Sequence, residues 1–279
     1  MPLFARSPQP AVLLLSDLPA WGRVALSSAV PLLEAAGFQA CCLPTALLST
    51  HGAYPGFVLE PQSAFLEKAW NHLRTLELSF AGASLGLVGE RRQFQLLEVI
   101  ATVVSASGGL VLVDPILGDN GRRYGLFHDD YVPAFRALIA RADVITPNVT
   151  EAALLLGEDP ARVPGTQDEV DRWTRALAAL GPSRVVLTSA PVFRTPNHTG
   201  VAWYDRGTDR SGTVVHRQLG KGIPGTGDAL AARLLAFLLK GVPFPRAVAR
   251  AVRGTLSDIR RSRAAGRPAL WGPEGPLGP

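Results

Sequence analysis

Short aliphatic and β-branched runs alternate along this chain with longer segments whose apolar positions recur every three to four residues. The continuous apolar runs predict buried strands at 11–16, 38–43, 78–83, 110–113, 144–145 and 184–187. Helical spacing predicts helices over 24–36, 63–76, 91–105, 132–141, 150–156 and 169–180, the first stopped by Gly37 and the fifth by Gly157. The polar stretch 44–56 reads as a loop. Two alternating segments, 200–204 and 213–218, flank a turn-rich stretch that begins Asp205-Arg206-Gly207 and read as a hairpin. Helices over 228–239 and 244–263 close the chain. Strands that alternate with helices imply a mainly parallel sheet covered on both faces, a three-layer α/β fold. Ligands of such sheets bind beyond the carboxyl ends of the strands, so the loops after Ser16, Leu43, Ala83, Val113, Ile145 and Leu187 are expected to line one cleft.

Composition narrows the function classes. With 47% hydrophobic and 18% charged residues the chain has the makings of a substantial core. Its 279 residues fit one large α/β domain or two small ones, and the element pattern favours a single domain over 1–263. The tail 264–279, with Pro at 268, 273, 276 and 279 and Gly at 266, 272, 275 and 278, is expected to be mobile. No apolar run reaches the roughly 18 residues that span a bilayer. Asp17 and Pro19 interrupt the first apolar stretch, which argues against a secretory signal. The two cysteines, Cys41 and Cys42, are adjacent on a strand, where a mutual disulfide would be strained; they point to a reducing, cytoplasmic setting. Of the 28 basic residues only Lys68, Lys221 and Lys240 are lysines, and the net charge of +5 is scattered apart from the helix near the end. A nucleic-acid binder needs a denser stripe interleaved with aromatics, so nucleic acid is not an expected partner.

Four runs carry chemistry. Gly225-Thr226-Gly227-Asp228 opens a helix, where glycines let the backbone approach a ligand and the first amides face outward. With the helix dipole these amides make an anion site, and an aspartate beside it can take the proton of an attacking hydroxyl; by itself the run also reads as an ordinary acidic helix start. Asp114-Pro115-Ile116-Leu117-Gly118-Asp119-Asn120-Gly121 follows a buried strand and reads either as a turn or as a pair of carboxylates for Mg²⁺. Thr146-Pro147-Asn148-Val149-Thr150-Glu151 reads either as a helix cap or as a second polar contribution. Thr188 and Ser189 end a strand with two hydroxyls. Together the runs supply what phosphoryl transfer needs: metal ligands, an anion cradle and a base near the acceptor oxygen. There is no Gly-x-x-x-x-Gly-Lys-Ser/Thr run, no serine-centred nucleophile elbow, and His72, His128, His198 and His216 have no metal-ligand spacing.

These runs resemble the motifs of ribokinase-like kinases, and the combination resembles their vitamin B6 (pyridoxal/pyridoxamine) kinase branch. Asp17-Leu18-Pro19-Ala20-Trp21-Gly22-Arg23-Val24 and the stretch from Leu43 to Tyr54 are similar to that branch too, so the likeness runs from about residue 11 to 260. It implies a three-layer αβα ribokinase-like fold, a homodimer, and ATP with Mg²⁺ as cofactors of transfer to the hydroxymethyl group of a B6 vitamer. By position it implies Asp228 as base with the Gly225, Thr226 and Gly227 amides as anion cradle. It places Asp17 and Val24 at the pyridine ring and His51 in the loop over the substrate. Asp119 and Tyr124 fall near the phosphates, Asp114 and Glu151 at Mg²⁺, Thr146 and Asn148 with Glu151 near Mg-ATP, and Thr188 and Ser189 at the nucleotide. Asp17 stands where many relatives have serine, and a carboxylate there can pair with a protonated ring nitrogen. Gly52 replaces a common threonine, Ala83 stands where relatives place a stacking tyrosine, and Lys221 is an added cation near the anion site. Hydroxymethylpyrimidine kinases carry a Gly-Ala-Gly-type run with glutamine where this chain has Ser16 to Trp21, and sugar kinases an N-terminal glycine-rich segment and a β-lid not found here. A catalytically silent B6-binding protein is the reading from a different class.

Overall fold

The structure is a computed structural model that describes residues 9–193, 195–219 and 223–266. Lys221 and the tail beyond Gly266 lie outside the described residues. Eleven strands and eight helices follow one another along the described chain. Strands β1 (Ala11–Trp21) and β2 (Gln39–Thr50) flank helix α1 (Ala25–Ala35). Strand β3 (Leu59–Pro61), helix α2 (Ser63–Thr75), strand β4 (Phe80–Leu85), helix α3 (Gln93–Ala106) and strand β5 (Leu110–Val113) follow. A two-stranded ribbon, β6 (Gly118–Asp119) and β7 (Arg122–Arg123), precedes α4 (Tyr131–Ile139), β8 (Val144–Ile145), α5 (Val149–Leu156) and α6 (Gln167–Ala179). Strand β9 (Arg184–Pro191) leads into the hairpin β10 (His198–Asp205) and β11 (Arg210–Arg217), and helices α7 (Thr226–Leu239) and α8 (Phe244–Ala264) come last.

One nine-stranded sheet runs in the order β11-β10-β9-β8-β5-β4-β1-β2-β3. Every pair from β2 across to β9 is parallel, and only the edges contributed by β3 and by β10 with β11 are antiparallel. The parallel strands are apolar on both sides because both sides are covered. Leu13, Leu15, Leu85, Val111, Val113 and Ile145 pack under α2 to α6, whereas Val12, Leu14, Leu112 and Val144 pack under α1, α7 and α8. The expected three-layer αβα arrangement with a mainly parallel sheet is the observed one.

Three expectations need correction. The stretch 44–56 is not a loop throughout, because β2 runs on to Thr50 beside an equally extended β1, with Pro19 opposite Leu48 and Trp21 opposite Thr50. This extension, edged by β3, projects past the other strands and leaves Leu18, Trp21, Leu47 and Val58 exposed. Ala83 does not face the cleft. It is fully buried between Leu13 and Val111 in mid-sheet, and the strand continues to Leu85 before the cleft opens at Gly86. Thr188 and Ser189 do not follow β9 but lie inside it, at an irregularity in its pairing with β10, where Ser189 takes the left-handed φ of +55°. No described helix is long and apolar enough to cross a membrane.

Candidate active site

The start of α7 is fixed by close packing. Gly225 caps the helix at φ +89°, and a Cβ there would sit 2.1 Å from the Arg23 carbonyl oxygen. Only glycine permits both that backbone and that approach. The contact seats the loop after β1 on the start of α7, so Val24 lies against Gly225, with its Cα 3.6 Å from the same notional Cβ. Of the cradle residues, Thr226 turns back, its amide and hydroxyl both donating to the Ile223 carbonyl, while Gly227 is exposed to the cleft. A Cβ on Gly227 would lie 3.8 Å from Asp114 Oδ2, which brings the end of β5 up to the cradle.

Asp228, one residue on, accepts hydrogen bonds from its own amide and from that of Ala25. Ala25 holds the left-handed φ of +47° at the start of α1, a conformation costing an alanine roughly 1–2 kcal/mol. Strain at the residue that fixes the candidate base is the kind of backbone outlier that clusters at functional sites.

Four carboxylates form a row along the cleft. Asp17, 4% exposed in the middle of β1, feels the charge of Asp228, as does Asp114, and Glu151 feels Asp114 and Asp119. Burial, joined by the charges of Glu151, Asp119, Asp114 and Asp228, pushes the Tyr124 hydroxyl pKa up. Asp114 Oδ1 accepts from the Thr146 hydroxyl at 2.8 Å, leaving Oδ2 toward Gly227. Glu151 accepts from the amides of Asn148 (2.8 Å) and Leu117 (3.3 Å), while the Asn148 side chain accepts from the Glu151 amide and donates to the Gly118 carbonyl. The helix-cap reading of Asn148 and Glu151 therefore holds, and the cap itself carries a buried carboxylate into the row. Thr188 bridges to Asn148 beside it. Asp119 is exposed and turned into its own ribbon, both oxygens held by Asn120. His51 is buried rather than solvated: its ring packs on Gly22, stands edge-on to Tyr54 and accepts from the Ala53 amide, and burial lowers its pKa.

The model of the phosphomethylpyrimidine kinase family matches residues 33–270. The chain belongs to this family. The phosphomethylpyrimidine kinase relatives include the pyridoxine/pyridoxal/pyridoxamine kinase of Bordetella avium, 30% identical over 256 residues that make up 88% of this chain and 83% of that protein. A solved structure from Bacteroides thetaiotaomicron, described as a candidate phosphomethylpyrimidine kinase and crystallised with pyridoxal, superposes with a TM-score of 0.87 at 35% identity, over 96% of this chain and 91% of the other. The pyridoxal kinase of Lactobacillus plantarum does so with a TM-score of 0.81 at 34% identity, over 92% and 90%. The protein is thus a phosphotransferase of the ribokinase-like superfamily, on the B6-kinase side of the phosphomethylpyrimidine kinase family.

Two site features of this family member escaped the sequence reading. Ala25 carried no signal, since an alanine at a helix start looks unstrained. The row of charges was equally hidden, because its members come from four separate segments. It has a measurable cost. Burial and the Asp228 charge raise Asp17 and Asp114 from 3.8 to about 7, and burial raises Asp228 and, joined by the Asp114 charge, Glu151. Each of these groups binds its proton more tightly folded than unfolded, so folding takes up protons between the two values. The stability of the ligand-free protein accordingly falls as pH rises from about 4 to about 7, by an amount on the order of a few kcal/mol. Urea midpoints are expected to be higher at about pH 5.5 than at about pH 8. Asp114→Asn should flatten that slope, and an unchanged slope in the variant would contradict it.

Proposed function

We propose that the protein transfers the γ-phosphoryl group of ATP to the hydroxymethyl oxygen of a B6 vitamer. The observation that carries this reading is the position of Asp228 at the glycine-lined start of α7, where its charge is felt by both Asp17 and Asp114. Asp228 accepts the proton of the attacking hydroxyl as its oxygen bonds to phosphorus and the bond to the departing ADP breaks. The amides of the cradle, Gly227 foremost, face the charge that develops on the transferring group. The donor set fits Mg²⁺: two buried carboxylates with unneutralised charge, Asp114 and Glu151, match an ion that takes one or two carboxylates and completes its shell with water and phosphate oxygens. Asp114, with Oδ2 turned toward Gly227, and Glu151, whose oxygens each accept one amide, would hold the ion together. The ion's chemistry is to neutralise charge on the phosphates. Thr146, Asn148, Asp119 and Tyr124 border this nucleotide side, with Thr188 and Ser189 at its rim, while Val24 and His51 belong to the acceptor side.

The finer parts of the reading follow the same lines. A single kinase domain spans the sheet and its helices, free Cys41 and Cys42 suit a reducing cytoplasm, and the exposed apolar face of the β1–β2–β3 extension suits a second copy of the chain. The test is ATP-dependent phosphate transfer by purified protein to pyridoxal, pyridoxamine, pyridoxine and hydroxymethylpyrimidine. Turnover of at least one pyridine in preference to the pyrimidine is expected. Preference for the pyrimidine, or binding of pyridoxal without turnover, would reject it.

A further inference from the structure

The turn that leaves β4 for α3, residues 86–89, is held by side chains from three different elements. Thr45 of β2 is fully buried, and its hydroxyl donates to the Leu87 carbonyl at 2.6 Å. The Leu87 amide donates to the hydroxyl of Ser16 on β1 at 3.2 Å. Gln93, 2% exposed at the start of α3, accepts from the Gly89 amide at 2.9 Å and donates to the Thr45 carbonyl at 2.7 Å. Both glycines of the turn are packed onto these partners. A Cβ on Gly86 would lie 2.6 Å from Ser16 Oγ, and one on Gly89 would lie 2.6 Å from the Thr45 carbonyl oxygen. A surface loop finds its backbone partners in water and needs no such support.

The network does not end at the turn. Ser16 has one hydroxyl proton, and with its oxygen accepting the Leu87 amide, that proton goes to Asp17 Oδ1 at 3.2 Å. Leu87 is thus pinned at both of its backbone polar groups, by Thr45 at the carbonyl and by Ser16 at the amide. Ser16 and Gly86 also border a small cavity of about 20 Å³ together with Asp114 and Asp228. Thr45, whose single hydroxyl proton is given to Leu87, reaches the carboxylates through the turn. A buried carbonyl that loses its donor keeps its desolvation cost, so removing the Thr45 hydroxyl drives Leu87 to move toward another partner. That movement draws the Leu87 amide off Ser16 and releases the Ser16 hydroxyl from its orientation toward Asp17.

We propose that Thr45 is a positioning residue of the acceptor side, which fixes the turn 86–89 and, through Leu87 and Ser16, the orientation of the Asp17 carboxylate. This rests on the acceptor reading above and adds to it a support that acts through other residues. Substitution at Thr45 weakens acceptor binding and leaves the nucleotide side, built on β5 and α5, in place.

The test compares Thr45→Val, which keeps the side-chain shape and removes the hydroxyl, with Thr45→Ser, which keeps the hydroxyl. Thr45→Val is expected to raise KM for the acceptor that wild type turns over best by about 5–50-fold, the range for one buried carbonyl left without its donor. Its kcat and its affinity for ADP should stay close to wild type, and Thr45→Ser should restore KM. The assays are run well below each melting temperature, where a loss of stability alone moves neither constant. Ser16→Ala cuts the same line at its other end and carries the test should Thr45→Val fail to fold. It should raise KM in the same way, and the double variant should scarcely exceed the larger single effect, as for residues of one network. An unchanged KM in either folded variant, a KM that serine does not restore, or additive effects of the two substitutions overturns the proposal. Calorimetric titration with pyridoxal separates it from the kinase reading. Weaker binding by Thr45→Val, with a wild type that binds pyridoxal but transfers no phosphate, would sustain the role of Thr45 and reject the kinase. Phosphate transfer with an unmoved KM in Thr45→Val would do the reverse, and a wild type that binds no acceptor overturns both.

Discussion

Asp228→Asn is expected to lower kcat by about 10²–10⁴-fold, the usual worth of a positioned general base, with nucleotide affinity unchanged. Asparagine keeps an oxygen where the carboxylate now accepts the Ala25 amide, so the left-handed turn at Ala25 and the seating of Gly225 on Arg23 should both survive. What asparagine lacks is a site for the hydroxyl proton. On the proposed reading the nucleotide is held by other segments, around Asp114, Asn148 and Thr188, whose own hydrogen bonds do not involve residue 228. Removing a negative charge beside the phosphates works, if anything, in the nucleotide's favour. Single-turnover kinetics together with ADP titration separate the two effects. Wild-type-like turnover in the variant would remove Asp228 from the mechanism, and equal loss of nucleotide affinity would make it a structural residue of the α7 start.

The helices were legible in the sequence because each is amphipathic or ends on a recognisable stop. Gly157, at φ +79°, closes α5, and the Asn148–Glu151 box opens it. The central strands were legible for the opposite reason: buried on both faces, they read as unbroken apolar runs. The extension of β1 and β2 was not, because it leaves the core. Pro19, Pro44 and the run from Ser49 to Gly52 look like turn chemistry, and what holds these segments extended is their pairing with each other, a long-range property. The ribbon of β6 and β7 is two residues a side and below any periodic signal. At the site the motifs were legible one by one, since each sits at the end of a strand or the start of a helix. What the linear order concealed is their sequence in space. Asp17 and Asp228 come from near opposite ends of the chain, yet Asp17 feels the charge of Asp228. Ala83 was misplaced by two residues, because a strand of small side chains gives no sign of where it leaves the core.

Asp258→Ala is expected to destabilise the fold by about 3–5 kcal/mol, the cost of stripping one partner from a buried ion pair. Arg233 of α7 and Asp258 of α8 are 2% and 1% exposed and bonded to each other, with Arg261 on the second carboxylate oxygen. Gly254 makes room for the guanidinium, as a Cβ there would lie 2.7 Å from Arg233 Nε. Arg233 Nε and Nη1 have no hydrogen-bond partner among the described residues, so Asp258 is the described group that compensates this buried charge, and its loss leaves the charge stranded between two helices. The exposed Arg162–Glu169 pair offers the contrast, since Glu169→Ala should cost less than about 1 kcal/mol and become silent in high salt, while the Asp258 effect persists. Replacing Arg233 and Asp258 together with methionine and leucine should recover most of the loss, because apolar residues remove the stranded charge along with its partner. Denaturation midpoints of the three variants decide the matter. A cost for Asp258→Ala no larger than that of the surface pair would mean that water reaches Arg233. Because α7 also carries Asp228, at its start, the same variants, assayed well below their midpoints, report whether α8 also sets the base. An unchanged kcat there would confine the pair to stability, and a lowered kcat with unchanged KM would extend its role to positioning the catalytic helix.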